Sequence, residues 1–295
     1  MKKKQLSGNL CGFFCALVWG STFLVSKQLL LTYTPEQVML MRFLLAYLSL
    51  WLMHPHWYFS PKDEFHFLLM SLVGNTLYYL AENTALLYTY SANVSILVSA
   101  APILTVLLLL VLHRDRHFPA RHFLGIGVSF AGVILVVLNG VFVLHLSLLG
   151  DLLSLGAACC WAIYSLLLEK MTGRFSSSLI SRKLMFYGIL TTLPLLIVKG
   201  AAFPLRELLR PDYIIGLLFL GLVGSALCYN AWNYACANLG IVMANMYIYA
   251  IPFVTLLSGA VFLGEPITVM AIFGAVLITA GLVISAGSAS MPEDS

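Results

Sequence analysis

Two charged side chains, Arg42 and Glu82, interrupt long apolar runs of this 295-residue chain. Each stands five or six residues from the end of its run, a depth of roughly 7–9 Å if the run is helical. A charge that far inside an apolar medium is costly and marks a pathway or a pair. Two chemistries fit. Arg42 and Glu82 could form an ion pair that fixes two helices against each other. Alternatively, Glu82 carries a proton or meets an ammonium group, leaving Arg42 available to a carboxylate.

Helical spacing gathers more polar and aromatic residues onto shared faces. Asn75, Tyr79, Glu82 and Leu86 form one such face, and Ser225, Tyr229 and Trp232 another. Ser95, Ser99 and Pro102 line up, as do Asn245, Tyr249 and Pro252. Trp19 with Thr22 and Phe23 has a counterpart in Trp161 with Tyr164 and Ser165. Unpaired polar groups are expensive in hydrocarbon, so these faces should point inward. The candidate substrate-binding set is therefore Trp19, Thr22, Asn75, Tyr79, Glu82, Ser95, Ser99, Trp161, Tyr164, Tyr229, Trp232, Asn245 and Tyr249. Rings suit the apolar part of a small amphipathic solute, and amides and hydroxyls its carboxylate and ammonium. The competing reading is that these polar groups only bridge helices, as they commonly do in membranes.

The elements that must position these residues follow from composition. The chain is 61% hydrophobic and 9% charged, with sixteen basic and twelve acidic residues where a soluble protein of this length would carry roughly 74 charges. Its solvent is therefore lipid, which excludes soluble enzymes and nucleic-acid binders. Runs long enough to span occur at 10–30, 36–53, 66–87, 92–112, 121–139, 149–169, 180–198, 213–236, 241–263 and 267–286. Continuous runs such as Ile103 to Leu112 exclude the weak alternation of a β-barrel. The expected fold is an all-α integral membrane bundle of ten helices.

Lys2, Lys3 and Lys4 precede the first run, which is too long for a signal peptide and is read as a retained span. With the N-terminus inside, Lys2, Lys3, Lys4, Lys62, Arg114, Arg116, Arg121, Lys170, Arg174, Arg182 and Lys183 fall on the inner side. Lys27, Lys199, Arg206 and Arg210 fall outside. That bias predicts both termini in the cytoplasm and residence in the cytoplasmic membrane.

The chain also repeats itself. Shifted by 150 residues, Leu72, Val73, Gly74, Leu77, Tyr79, Ala81, Asn83 and Ala85 meet identical residues at Leu222, Val223, Gly224, Leu227, Tyr229, Ala231, Asn233 and Ala235. Pro102 meets Pro252 and Thr105 meets Thr255. Residues 8–140 and 149–287 are thus one five-helix unit used twice. Because five is odd, the second copy enters the membrane inverted, the arrangement many secondary transporters use for alternating access. Pro102 and Pro252 are candidate gating kinks. Gly125 and Gly132, with Gly274 and Gly281, recur at i,i+7 and predict close contact between spans five and ten.

The stretch Ala85-Leu86-Leu87-Tyr88-Thr89, running into the small residues that open the fourth span and then Pro102, resembles the EamA-type branch of the drug/metabolite transporter superfamily. Ala231-Trp232-Asn233 is similar to a stretch of aromatic amino acid exporters. The resemblance implies export of amino acids or related metabolites, a central cavity walled by spans one, three, four, six, eight and nine, and no enzyme chemistry. The alternatives are a drug or lipid-precursor exporter of the same fold, or a membrane sensor or enzyme that transports nothing.

The expected partners are a small-molecule substrate, the bilayer and a coupling proton, with no nucleic acid, acting as a monomer. No cofactor is expected, since no phosphate-binding G-x-x-x-x-G-K-[ST] stretch occurs. No metal is expected either: the six cysteines lie in or beside apolar runs, and His113 with His117 is a weak pair in a basic loop.

Overall fold

The computed structural model describes residues 2–112, 119–137, 147–200, 203–204, 206–263 and 269–286. The His113–His117 pair, Arg114 and Arg116 lie outside the described residues. Among those described there is no strand beyond an isolated bridge between Thr172 and Phe175.

The first five runs form α1 (Lys2–Leu29), α2 (Pro35–Met53), α3 (Pro61–Ser71) continued by α4 (Tyr78–Tyr88), α5 (Ser91–Val98) with α6 (Ala101–Leu112), and α7 (Ala120–Val137). The second five form α8 (Leu148–Glu169), α9 (Ser177–Lys199), α10 (Pro211–Leu218) continued by α11 (Cys228–Leu239), α12 (Ile241–Met246) with α13 (Ile251–Leu263), and α14 (Val269–Ala286). Among the described residues, seven helical stretches are long and apolar enough to cross a membrane. The stretch from Pro61 to Tyr88 is not among them, because Asn75, Glu82 and Asn83 dilute its apolar character.

Local chemistry sets the ends. Thr34 caps α2 in a reciprocal box with Gln37, and Pro35 fills the first turn, where its missing N–H costs nothing. Ser147 and Ser176 accept from Gly150 and Leu179 at the starts of α8 and α9. Between α9 and α10 a 3₁₀ turn forms at Glu207–Leu209, and Arg210 binds both Glu207 and Asp212.

The corresponding helices of both halves are interrupted in the same way. A π-helical segment joins α3 to α4 at Leu72–Leu77, and another joins α10 to α11 at Phe219–Leu227. Such segments insert an extra residue into a turn and often mark functional sites. Each contains a glycine at a tight crossing: a Cβ on Gly74 would stand 2.5 Å from the Tyr164 ring, and one on Gly224 3.0 Å from the Thr22 methyl.

Pro102 and Pro252 do not kink a continuous helix at mid-span. Each is the second residue of a new helix, after a turn at Ser99–Ala100 and a 3₁₀ segment at Tyr247–Ala250. A proline there removes no bond within its own first turn. It cannot donate to the carbonyl four residues back; that of Ile248 takes the Ile251 N–H instead, with the Ser99 hydroxyl 3.5 Å away.

Helix α7 packs along α14, as the paired glycines predicted. A Cβ on Gly281 would lie 2.2 Å from Ser129 Oγ and 2.5 Å from the Gly125 carbonyl. Gly281→Val is accordingly expected to cost about 1–3 kcal/mol, read as a lower melting temperature in detergent. A wild-type melt would show that this crossing is loose.

Inter-helix contacts sort the helix ends onto two faces. Gly8 meets Leu239, and Arg174 and Lys183 reach Asp63 and Glu64, on the face where α1 begins. Lys27 reaches the Thr89 carbonyl, Thr32 meets Tyr213, and Lys199 pairs with Glu36 on the opposite face.

Candidate functional site

At the centre of the bundle, rings from four helices meet. Trp161 of α8 lies 5.2 Å from Trp19 of α1, 5.3 Å from Tyr78 of α4, 5.2 Å from Tyr164 and 5.6 Å from Trp232 of α11. Most of these contacts are edge-on or tilted, the arrangements the ring quadrupoles favour. Beside the cluster is a cavity lined by Trp19, Thr22, Phe23, Tyr78, Tyr79, Glu82, Val98, Trp161, Ile248 and Ile251. Its free space is about 20 Å³, room for about one water molecule. The space at the site is thus too small to hold a solute in this conformation.

Of the residues expected to bind substrate, Trp19, Thr22, Tyr79, Glu82 and Trp161 line this cavity. The others are buried beside it with different tasks. Asn75 donates to the Leu184 carbonyl, Tyr229 to the Gly74 carbonyl and Tyr164 to the Asn233 side chain. Asn245 accepts from the Trp161 indole and donates to Ser165. Ser95 and Ser99 bond the carbonyls of Ala92 and Ser95 in their own helix. Trp232 contributes its ring, while Tyr249 sits in a separate apolar cluster with Val106 and Ile278. For most of this set, bridging between or within helices is the observed role.

Arg42 and Glu82 are both buried but do not form the direct ion pair that depth suggested. The Arg42 guanidinium stacks 4.0 Å over the Tyr79 ring, donates to Ser225 Oγ at 2.9 Å and to the Tyr79 hydroxyl at 3.2 Å. Glu82 instead takes the hydroxyl of Tyr78. The two tyrosines thus intervene: one holds the cation, the other the carboxylate. Cation–π stacking and two hydroxyls hold the guanidinium at Nε and Nη2, while Nη1 is buried without a hydrogen-bond partner.

Residues missed from sequence include Tyr78, Val98, Ile248 and Ile251. Tyr78 directly follows the π segment, whose extra residue turns it toward Glu82 beside Tyr79. Val98 and Ile248 stand four residues before Pro102 and Pro252, so the proline spacing was an available signal.

A polar belt closes the face where α1 begins. Arg174 and Tyr58 hold Asp63 at 3.0 and 2.6 Å, while Lys183 and Tyr187 hold Glu64. Arg182 stacks on Trp51 and donates to the carbonyls of His54 and His56. The Tyr58 hydrogen bond, with help from Arg174, holds the Asp63 carboxyl below the usual carboxylate range. A depressed folded-state pKa stabilises the fold at neutral pH, and the contribution fades as pH falls below about 3.9 toward the lower folded value. The melting difference between wild type and Asp63→Asn is expected to be present at pH 7 and to shrink through that acid window. A pH-independent difference would contradict this.

The EamA-like transporter family matches residues 6–138 and again 148–287. The chain belongs to the EamA-like transporter family. It is 28% identical over 275 residues to an uncharacterized transporter of Archaeoglobus fulgidus, covering 91% of this chain and 93% of that one. A probable amino-acid metabolite efflux pump of Salmonella typhimurium is 27% identical over 289 residues, covering 93% and 94%. A probable terminal-alkyne amino-acid exporter of Streptantibioticus cattleyicolor is 24% identical over 216 residues, covering 73% and 71%. One crystal structure superposes with a TM-score of 0.77 over 95% of this chain and 98% of its own, at 17% identity, a likeness of fold alone. As an EamA protein the chain is a multi-pass membrane transporter, and the central cavity lies where its two repeats meet.

Proposed function

We propose that this EamA protein exports amino acids or closely related small metabolites across the cytoplasmic membrane by alternating access, as a ten-span monomer with both termini in the cytoplasm. The observation that carries the reading is a small cavity between the repeats, walled by Trp19, Tyr78, Tyr79 and Trp161, with Glu82 in its lining. Rings accept the apolar part of the solute and Glu82 faces its ammonium. The Salmonella relative's description as an amino-acid metabolite efflux pump supports this substrate class. The basic residues gathered on the face where α1 begins support the orientation.

Glu82 is also the group a coupling proton would occupy. A Glu82→Gln protein that folds and transports with unaltered pH dependence rules that out. The walls contributed by Phe23, Val98, Ile248 and Ile251 favour, as second reading, a more hydrophobic drug or lipid precursor.

Melting the purified protein against each of the twenty amino acids tests the first reading. A ligand that binds the folded state at a hundred times its Kd adds about 2.7 kcal/mol. Stabilisation by one or a few amino acids is expected. No shift with any amino acid, but one with apolar amines or lipid precursors, would select the second.

A further inference from the structure

The two repeats place similar side chains near the two membrane faces but bond them differently. An offset of 150 pairs Asn83 with Asn233 and Ser95 with Asn245, and an offset of 142 pairs Trp19 with Trp161 and Thr22 with Tyr164. The second offset has a geometric check, since Gly74 abuts Tyr164 and its counterpart Gly224 abuts Thr22.

Toward the face where α1 begins, the helices are tied across the bundle. Tyr164 donates to Asn233 at 3.1 Å, and Asn233 donates to Ser181 of α9 at 2.9 Å. Trp161 donates to Asn245 at 3.0 Å, and Asn245 to Ser165 at 3.2 Å. Toward the opposite face the two counterpart bonds that the residue types allow, Thr22 with Asn83 and Trp19 with Ser95, are not made. The Thr22 hydroxyl turns back to the Trp19 carbonyl at 2.8 Å, and the Trp19 indole bonds the Gly224 carbonyl at 3.0 Å instead of Ser95. Asn83 is completely buried with neither its amide nitrogen nor its oxygen bonded, and Ser26, one turn beyond Thr22, is buried with its hydroxyl unpartnered.

Buried polar groups are nearly always bonded, and each exception calls for a physical reason. A second conformation in which the bond forms supplies one. We propose that Asn83 and Asn233 are alternating gate amides. Asn233 seals the face where α1 begins in the conformation seen here. When that seal opens, Asn83 bonds Thr22 or Ser26 and seals the opposite face. Each state then gains the bond the other loses, which keeps the two close in energy, as a carrier requires. Two features agree with the direction. Helices α1 and α4, which carry the unused partners, already pack together. A recess of about 310 Å³, lined by Lys27, Leu86, Leu87, Tyr88, Thr89, Tyr90 and Ser147, opens on the opposite face, and Leu86 is one turn from Glu82.

The inference rests on the alternating-access reading but is tested without any solute. Hydrogen exchange would be followed by mass spectrometry on the full-length protein in lipid nanodiscs. Tyr164→Phe, which keeps the ring and removes only the bonded hydroxyl, and Asn233→Ala are expected to speed exchange several-fold in 161–169 and 228–246. Asn83→Ala and Thr22→Val are expected to leave these segments as slow as in wild type, or slower. Tyr164→Phe with wild-type exchange there, or Asn83→Ala with the same acceleration, would overturn the assignment. Failure of the transport reading would appear separately, as absent flux in wild-type vesicles.

Discussion

Trp161→Ala is expected to cost about 3–5 kcal/mol of folding stability, the largest loss of any single change at the site. The residue is 4% exposed, and its ring meets Trp19, Tyr78, Tyr164, Tyr229 and Trp232. Truncation removes all five contacts and leaves a void among the surrounding rings. It also strips Asn245 of the indole donor 3.0 Å away. Trp161→Phe keeps an aromatic ring while losing the N–H and part of the indole volume, and is expected to cost less, about 1–3 kcal/mol. Denaturant or thermal melts of the three proteins measure this. An alanine variant that melts like wild type would mean that the aromatic cluster does not hold the halves together.

Glu82→Gln is expected to leave the fold intact and reduce transport roughly ten- to hundredfold, the worth of one charge-assisted hydrogen bond. The amide keeps an oxygen for the Tyr78 hydroxyl, and burial of an amide is easier than burial of a carboxylate, so the melt should match or exceed wild type. Arg42 does not rely on Glu82 for a partner, because Ser225 and Tyr79 hold it. Loss of flux with a preserved melt therefore separates a functional carboxylate from a structural one. A variant that melts early would return Glu82 to the structural role that burial alone suggests.

The helical framework was legible because lipid imposes it. Apolar length sets the spans, and Thr34, Pro35, Ser147 and Gly200 set ends within a residue or two of those read from sequence. The glycine spacing predicted the α7–α14 contact because only backbone can approach that closely. The site was legible in part. Helical periodicity grouped Trp19, Thr22, Tyr79, Glu82 and Trp161, which line one cavity, but it assumes an unbroken 3.6-residue turn. The π segments before Tyr78 and Cys228 violate that assumption, and the helix breaks before Pro102 and Pro252 bring Val98 and Ile248 to the cavity wall. Asn75, Tyr164, Tyr229 and Asn245 stand outside the cavity lining for another reason. Their type announces a buried polar group, but whether its partner is a solute or a neighbouring carbonyl depends on contacts across the two repeats, which no local pattern contains.

The central claim is that solute passes through the cavity between Trp19, Tyr79, Glu82 and Trp161. Uptake of labelled amino acids into vesicles carrying wild type, Glu82→Gln or no protein tests it most directly. The expected result is flux above empty vesicles for wild type and a rate close to empty vesicles for Glu82→Gln. Wild-type vesicles that equal empty ones, or a Glu82→Gln protein that transports at the wild-type rate, would contradict it.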